Sequence, residues 1–350
     1  MSEITAGGRW AALGLRRTDA ASAIGRSGRN VRSVRSQAET RRLLQLALAA
    51  VWLLDGLLQL QPFMFTKAFA TQIIDPTAPG NPHAVAHSIT WAAGIIAHHP
   101  VGTNAAFAAV QLLLGLGIAC RPTVRAALAA SVGWALAVWW FGEGLGGVLT
   151  GAASPLSGAP GGVILYALLA VLLWPTDRQG PFPAARPVGV PAAKVLWLLL
   201  WGSMAFFALQ SANTGPQDMN TMIAGMAQGQ PDWLGAIIKH SAALVAHRGL
   251  AASVVLAGLS GLVAVAVLLP RRLWRALIAV ALVLAAVIWV VGEALGGVFG
   301  RQGTDPNTGP LLALIALAYW PTALQANTEQ ARTGQASTEQ AVTGQERTAS

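Results

Sequence analysis

Gln61, His98 and Glu143 are the residues whose types could do chemistry together, and each comes back later in the chain, as Gln210, His247 and Glu293. A carboxylate beside an imidazole forms a pair that titrates near neutral pH or holds a cation. In such a site His98 is the proton carrier or ligand, Glu143 its carboxylate partner and Gln61 a hydrogen-bond donor. The donor types suit zinc, copper or iron, although two ligands from distant segments fall short of a metal site. The first set has further groups. Asp55 lies inside an apolar run, where an acid is expected to be functional, and its counterpart is Met204. His83 and His87 stand four apart, on one face of a helix, and with His98 they are the candidate metal ligands. A structural alternative stands beside this. A Glu at a helix end followed by glycines can simply accept backbone hydrogen bonds in a turn, and a His near the interface can sit neutral and solvated.

The recurrence is long. Gly142-Glu143-Gly144-Leu145-Gly146-Gly147-Val148 returns as Gly292-Glu293-Ala294-Leu295-Gly296-Gly297-Val298. Arg125 answers Arg275, Gly80 and Pro82 answer Gly229 and Pro231, and Trp174-Pro175 answers Trp320-Pro321. A period of this length is a whole module rather than a solenoid unit.

The elements that must position these residues are membrane helices. Only 11% of the 350 residues are charged and the mean hydropathy is +0.53, the composition of a chain that crosses a membrane repeatedly. Eight runs have the apolar length for this: 43–60, 102–120, 126–142, 161–175, 195–210, 249–269, 276–292 and 310–321. The fourth and eighth barely span roughly 30 Å of hydrocarbon. The basic residues sort onto one side of this map. Of the 23 Lys and Arg, only Lys67, Lys239, Arg248 and Arg301 fall on the other. The positive-inside rule then puts both termini in the cytoplasm. The expected fold class is all-α: a polytopic protein of a bacterial-type cytoplasmic (inner) membrane, with eight transmembrane helices as two parallel four-helix repeats.

The domains follow: an Arg-rich disordered tail at 1–42, a first membrane module at 43–175, a cytoplasmic linker at 176–194, a second module at 195–321 and a low-complexity disordered tail at 322–350. The outer connections 61–101 and 211–248 each read as a short helix, a Gly-x-Pro stop and a longer helix, at about 83–98 and 232–247. The Gly-rich segments 142–162 and 292–309 read as partly re-entrant loops. Trp139, Trp140 and Trp289 near outer ends, and Trp174, Trp197, Trp274 and Trp320 near inner ends, read as interfacial anchors.

Several function classes drop out. The net charge of +9 is mostly topogenic, and no aromatic surface interleaves with the arginines, so the partner is the lipid bilayer rather than nucleic acid. Cys120 is the single cysteine, which rules out an internal disulfide. No phosphate-cradling loop, dinucleotide fingerprint or nucleophile elbow is present.

The stretch Ala49-Ala50-Val51-Trp52-Leu53-Leu54-Asp55-Gly56-Leu57-Leu58-Gln59-Leu60-Gln61-Pro62 resembles the first helix of DoxX-like membrane proteins. In that family a four-helix unit opens with an apolar helix, a Gly near its outer end, then a polar residue and often a Pro. Some DoxX-like proteins act beside quinone-linked redox enzymes, so the resemblance implies a redox enzyme complex as partner and quinone as cofactor. The tandem duplication, the long outer connections with their His residues and the Gly-Glu-x-Leu-Gly-Gly motif depart from the family pattern.

Three functions stay open. One is an accessory, redox-associated subunit with an outward-facing polar pocket built from Asp55, Gln61, His98 and Glu143, echoed by Gln210, His247 and Glu293. Another is a secondary transporter or channel for a small solute or metal ion, which duplicated modules and Gly-broken helices favour. The third is a structural assembly subunit.

Overall fold

Each apolar run folds as a helix, since a backbone away from water must pair its N–H and C=O groups within its own segment. The computed structural model describes residues 38–321, and the tails expected at 1–37 and 322–350 lie outside them. Helix α1 covers 38–58 and so opens five residues before the boundary given to the tail. It is followed by α2 (His83–His98), α3 (Pro100–Ala119), α4 (Val124–Phe141) and α5 (Gly162–Leu172). After 190 come α6 (Val190–Ala208), α7 (Asp218–Gly225), α8 (Asp232–Val245), α9 (Gly249–Val265), α10 (Arg271–Val287) and α11 (Thr308–Ala318). No strand occurs among the described residues.

Five of these helices are long and apolar enough to cross a membrane: α3, α4, α6, α9 with its extension to Leu268, and α10 with its extension to Gly292. Their outward residues are apolar too. Leu113, Leu199, Val255 and Val283 are all largely exposed, as on a surface that meets lipid rather than water. In contrast, α5 and α11 have 11 residues each. At about 1.5 Å per residue they reach only about half of a bilayer's ~30 Å core.

These two short helices pack against each other at the centre, with α4 on α5, α10 on α11, α3 on α4 and α6 on α9 around them. Leu165, Tyr166 and Leu169 of α5 and Leu311, Leu312 and Ile315 of α11 are buried, in one apolar cluster that runs through both halves of the chain. The connection at 176–194 is part of this core. Phe182 is buried with its ring 5.3 Å from that of Tyr319 and 5.1 Å from that of Trp274. Ala184 donates its N–H to Ala318 O at 2.9 Å, and Tyr319 Oη donates to Ala193 O at 2.5 Å.

The tryptophans need a correction. Trp197 and Trp274 are fully buried, and Trp197 Nε1 donates to Val263 O at 2.7 Å. They pack the core instead of anchoring an interface, because their positions along α6 and α10 turn them toward α9 and Phe182. Trp140 and Trp320 do stay exposed, as anchors should.

Helices α2 and α8 start after the same backbone break. Gly80 and Gly229 adopt left-handed φ of 81° and 72°, and Pro82 and Pro231 then stand in extended conformation directly before the helix. Val85, Ile89, Ala93 and Ile96 form the buried stripe of α2, against Met64, Phe69, Ile74 and Leu145.

Close approach fixes α1 on α3. A Cβ at Gly115 would stand 2.6 Å from Leu53 Cγ and 2.9 Å from Ala49 O, and one at Gly56 would stand 2.6 Å from Leu112 Cγ. Gly133 of α4 has nothing within 4 Å of that position. Gly115→Ala is therefore expected to destabilise the protein by ~1–3 kcal/mol. Gly133→Ala should stay within about 0.5 kcal/mol of wild type. Thermal unfolding in detergent compares the two.

Candidate functional site

The site is organised by two turns of unusual hand. After α4, Glu143 is followed by Gly144, Leu145, Gly146 and Gly147 at φ 55°, 57°, 62° and 69°. After α10, Glu293 is followed by Ala294, Leu295, Gly296 and Gly297 at 48°, 58°, 73° and 65°. Four consecutive left-handed residues make a tight turn that an L side chain resists by ~1–2 kcal/mol per residue. Glycines relieve most of that, and burial of the Leu145 side chain against the α2 cluster offsets part of the rest. Gly146 is also obligatory for space, since a Cβ there would collide with the Pro160 carbonyl.

Each turn aims its glutamate at the first residues of a short helix. Glu143 accepts the Val163 N–H at 3.1 Å and 3.3 Å on its two oxygens. Glu293 accepts the Thr308 N–H at 3.2 Å and the Gly309 N–H at 3.0 Å, and the Thr308 hydroxyl as well. A helix leaves its first N–H groups without intrahelical partners. Here those groups are buried, so the carboxyl oxygens serve as acceptors in place of water. Burial pushes the Glu143 carboxyl up to about 8, with Asp305 adding to the rise, although the Val163 and Gly162 backbone pulls the other way. Burial likewise raises Glu293 to about 7 against the pull of Thr308 and Gly309.

Beside Glu143 opens a cavity of about 550 Å³. Asp55, Gln59 and Trp52, on one face of α1, line it together with Gln111 and Phe107 of α3, Trp134 and Phe141 of α4, Trp91 and Ile95 of α2, and Glu143. Asp305 enters from the 292–309 loop of the other half of the chain. Its carboxylate accepts the Thr304 hydroxyl at 2.8 Å and the Asn307 N–H at 2.6 Å, and burial raises it from the usual carboxylate range. Among the described residues no Lys, Arg or His lines the cavity. Gln59 Oε1, Gln111 Oε1 and Trp134 Nε1 are buried without a hydrogen-bond partner, and the Asp55 carboxyl faces the buried Tyr166 hydroxyl.

Of the residues singled out in the sequence, Asp55 and Glu143 meet here and the others do not. Gln61 Nε2 donates to Gly303 O at 3.1 Å, tying the C-terminal end of α1 to the second Gly-rich loop. His98 is exposed, bonds back to Gly94 O of its own helix at 2.8 Å and lines a separate shallow groove with Trp91 and His99. It lies two residues past buried Ile96, and about 200° of helical rotation turns it outward. His98 is therefore not the partner of Glu143. His83 and His87 stack with ring centroids 6.1 Å apart, but His98 lies about 16 Å further along α2. The proposed three-histidine metal site thus does not assemble. No cluster of three His, Cys, Asp or Glu suited to a metal exists among the described residues. His247 is exposed and bonds to Gln217 at 2.8 Å, and Gln210 has a buried carbonyl oxygen without a partner. Neither meets Glu293 through a hydrogen bond.

Sequence reasoning missed Asp305, Gln59 and Gln111. The first is a lone acid in a Gly- and Pro-rich connection, and the only available signal was that the connection had been read as re-entrant. The fold and the cavity define a class: a helical protein with membrane-length spans and a half-open, acid-lined cavity. Comparison with family models, with curated proteins and with solved structures finds no match to the chain.

Glu293→Ala removes the acceptor of two buried N–H groups and is expected to destabilise by ~1–3 kcal/mol for each. Glu293→Gln keeps an acceptor and should lose less, which thermal unfolding in detergent checks. The pH dependence has a definite sign. A carboxyl raised from 4.5 to about 8 in the folded protein keeps its proton where the unfolded chain has lost it. Its contribution to stability is complete below about 4.5 and fades as pH climbs toward about 8. The melting temperature should accordingly fall across that window, and fall less in a Glu143→Gln, Glu293→Gln double variant.

Proposed function

We propose that the chain is a polytopic protein of a bacterial-type inner membrane, with eight helices entering the bilayer as two parallel four-helix repeats and both termini cytoplasmic. We propose further that it binds a small molecule in the cavity of the first repeat. The sorting of basic residues and the matched turns at Glu143 and Glu293 support the arrangement.

One observation carries the binding function. Asp55, Gln59 and Gln111, which are 1%, 4% and 8% exposed, line a cavity; Gln59 and Gln111 each have an oxygen without a partner, and Asp55 faces the Tyr166 hydroxyl. Buried polar groups are ordinarily paired, and an unmade hydrogen bond costs about 1–3 kcal/mol. A bound molecule that completes these groups explains why they are there, and a purely structural assembly subunit does not. The second half has Met204, Ala208 and Ser260 at the corresponding positions, so it acts as scaffold. Solute binding, as in a secondary transporter, is the reading this favours. A quinone-linked accessory role, implied by the likeness to DoxX-like proteins, is the second reading, and the aromatic walls of the cavity favour it.

Solvent extraction of the purified protein followed by mass spectrometry should release one bound small molecule in roughly equimolar amount. An Asp55→Met variant, which copies the second half, should release none. A quinone in the extract selects the redox reading and a polar solute selects transport. An empty extract, with no liposome flux that distinguishes wild type from variant, leaves only the structural subunit and defeats the proposal.

A further inference from the structure

The cavity has several acids and, among the described residues, no base. Asp55 comes from α1, Glu143 from the end of α4 and Asp305 from the 292–309 loop, so three remote parts of the chain each contribute a carboxyl to one half-open space. Glu293 adds a further carboxyl near Glu143, and the neutral Tyr166 hydroxyl of α5 faces Asp55. The cavity-lining parts of α2 and α3 bring no charged residue, and the histidines of α2 do not line the cavity. Several buried anions cannot persist together without positive charge. Protons supply that charge when the cavity holds no ligand, and a ligand can replace them.

Two of the neutral groups are compatible with this: Gln59 and Gln111 each have a carbonyl oxygen in need of a donor, while Trp134 Nε1 is a donor that a ligand's acceptor or π face can meet. An amide presents either its oxygen or its nitrogen by a half-turn, so both can offer acceptors to a ligand rich in N–H groups. Trp52, Trp134 and Phe107 add aromatic faces, which attract cations, most strongly when desolvated. The volume of about 550 Å³ suits an organic body rather than a bare metal ion. At the rim Trp91 is 59% exposed and Phe141 38%, an apolar entrance that admits a hydrophobic frame.

From this combination we infer that the cavity takes an organic monocation, a guanidinium or ammonium group on an apolar frame, with the charged head at Asp55 and the frame between the aromatic walls. The inference rests on the reading of this cavity as a ligand site and names the class of ligand. One positive charge matches one ionised carboxylate, and the carboxyls that remain protonated act as donors and acceptors. Cation binding therefore releases protons, and affinity rises with pH as long as the ligand keeps its charge.

Benzylguanidinium tests this, with benzylurea as the neutral molecule of nearly the same shape and benzoate as the anion. Titration calorimetry of the purified full chain should show benzylguanidinium binding at least roughly tenfold tighter than benzylurea, a difference of about 1.4 kcal/mol, with no binding of benzoate. Its affinity should rise several-fold between about pH 6.5 and about pH 8.5, a range in which a guanidinium stays charged. The preference over benzylurea should vanish in Asp55→Asn. If that variant fails to fold, Asp305→Asn, judged by unchanged melting, replaces it and should narrow the preference. Equal binding of benzylurea, or tighter binding of benzoate, overturns the cation assignment while leaving a ligand site in place. No binding of any probe, with a neutral molecule in the solvent extract, overturns the cation assignment alone. No binding of any probe, with an empty extract, overturns both.

Discussion

Two helices that begin inside the protein set the terms for the rest of this structure. α5 and α11 are too short to reach both faces of a membrane, and their first N–H groups open where no water can pair with them. Glu143 and Glu293 satisfy those groups from the ends of the preceding helices. The carboxylates reach them only because the chain turns at once with left-handed backbone, which is why each Glu is followed by a Leu between glycines or near-glycine residues. The same turns send the Gly-rich loops back into the protein, where one of them delivers Asp305 to a cavity in the other half.

That shared scaffold carries two different fillings. Near α1 the wall holds Asp55, Gln59 and Gln111, and the second half has Met204, Ala208 and Ser260 in their place. The capping glutamates are kept in both halves, as expected of groups that the backbone itself requires. Asp55, Gln59 and Gln111 have no like residue at the corresponding positions of the second half, whereas Asp305 reaches the cavity from that half. The two carboxyls differ in what they meet: Glu293 spends its oxygens on backbone N–H groups, whereas Asp55 lines the cavity beside the Tyr166 hydroxyl.

Much of this was legible in the sequence. Helix positions followed from apolar length, the breaks before α2 and α8 from Gly-x-Pro, and the weight of the Gly-Glu-x-Leu-Gly-Gly motif from its return. Its capping role was open only in outline, because the N–H groups that Glu143 and Glu293 accept lie 15 to 20 residues downstream. His98 misled because a place at the end of a helix says nothing about azimuth, and two residues of rotation carry it from the buried stripe to the outside. Trp197 and Trp274 misled in the same way: residue type and depth matched an interfacial anchor, and only packing decided that they face inward. Asp305 had no pattern to betray it, since its contribution depends on a loop crossing from one half of the chain to the other.

The central claim is that the cavity beside Asp55 is a ligand site built on a scaffold that Glu143 and Glu293 hold together. Cryo-electron microscopy of the wild-type protein, extracted from its own membrane into lipid nanodiscs, tests it most directly. The account predicts non-protein density between Asp55 and the aromatic walls, with Glu143 on Val163 and Glu293 on Thr308 and Gly309. A first-half cavity closed by its own side chains, with no such density, would contradict it.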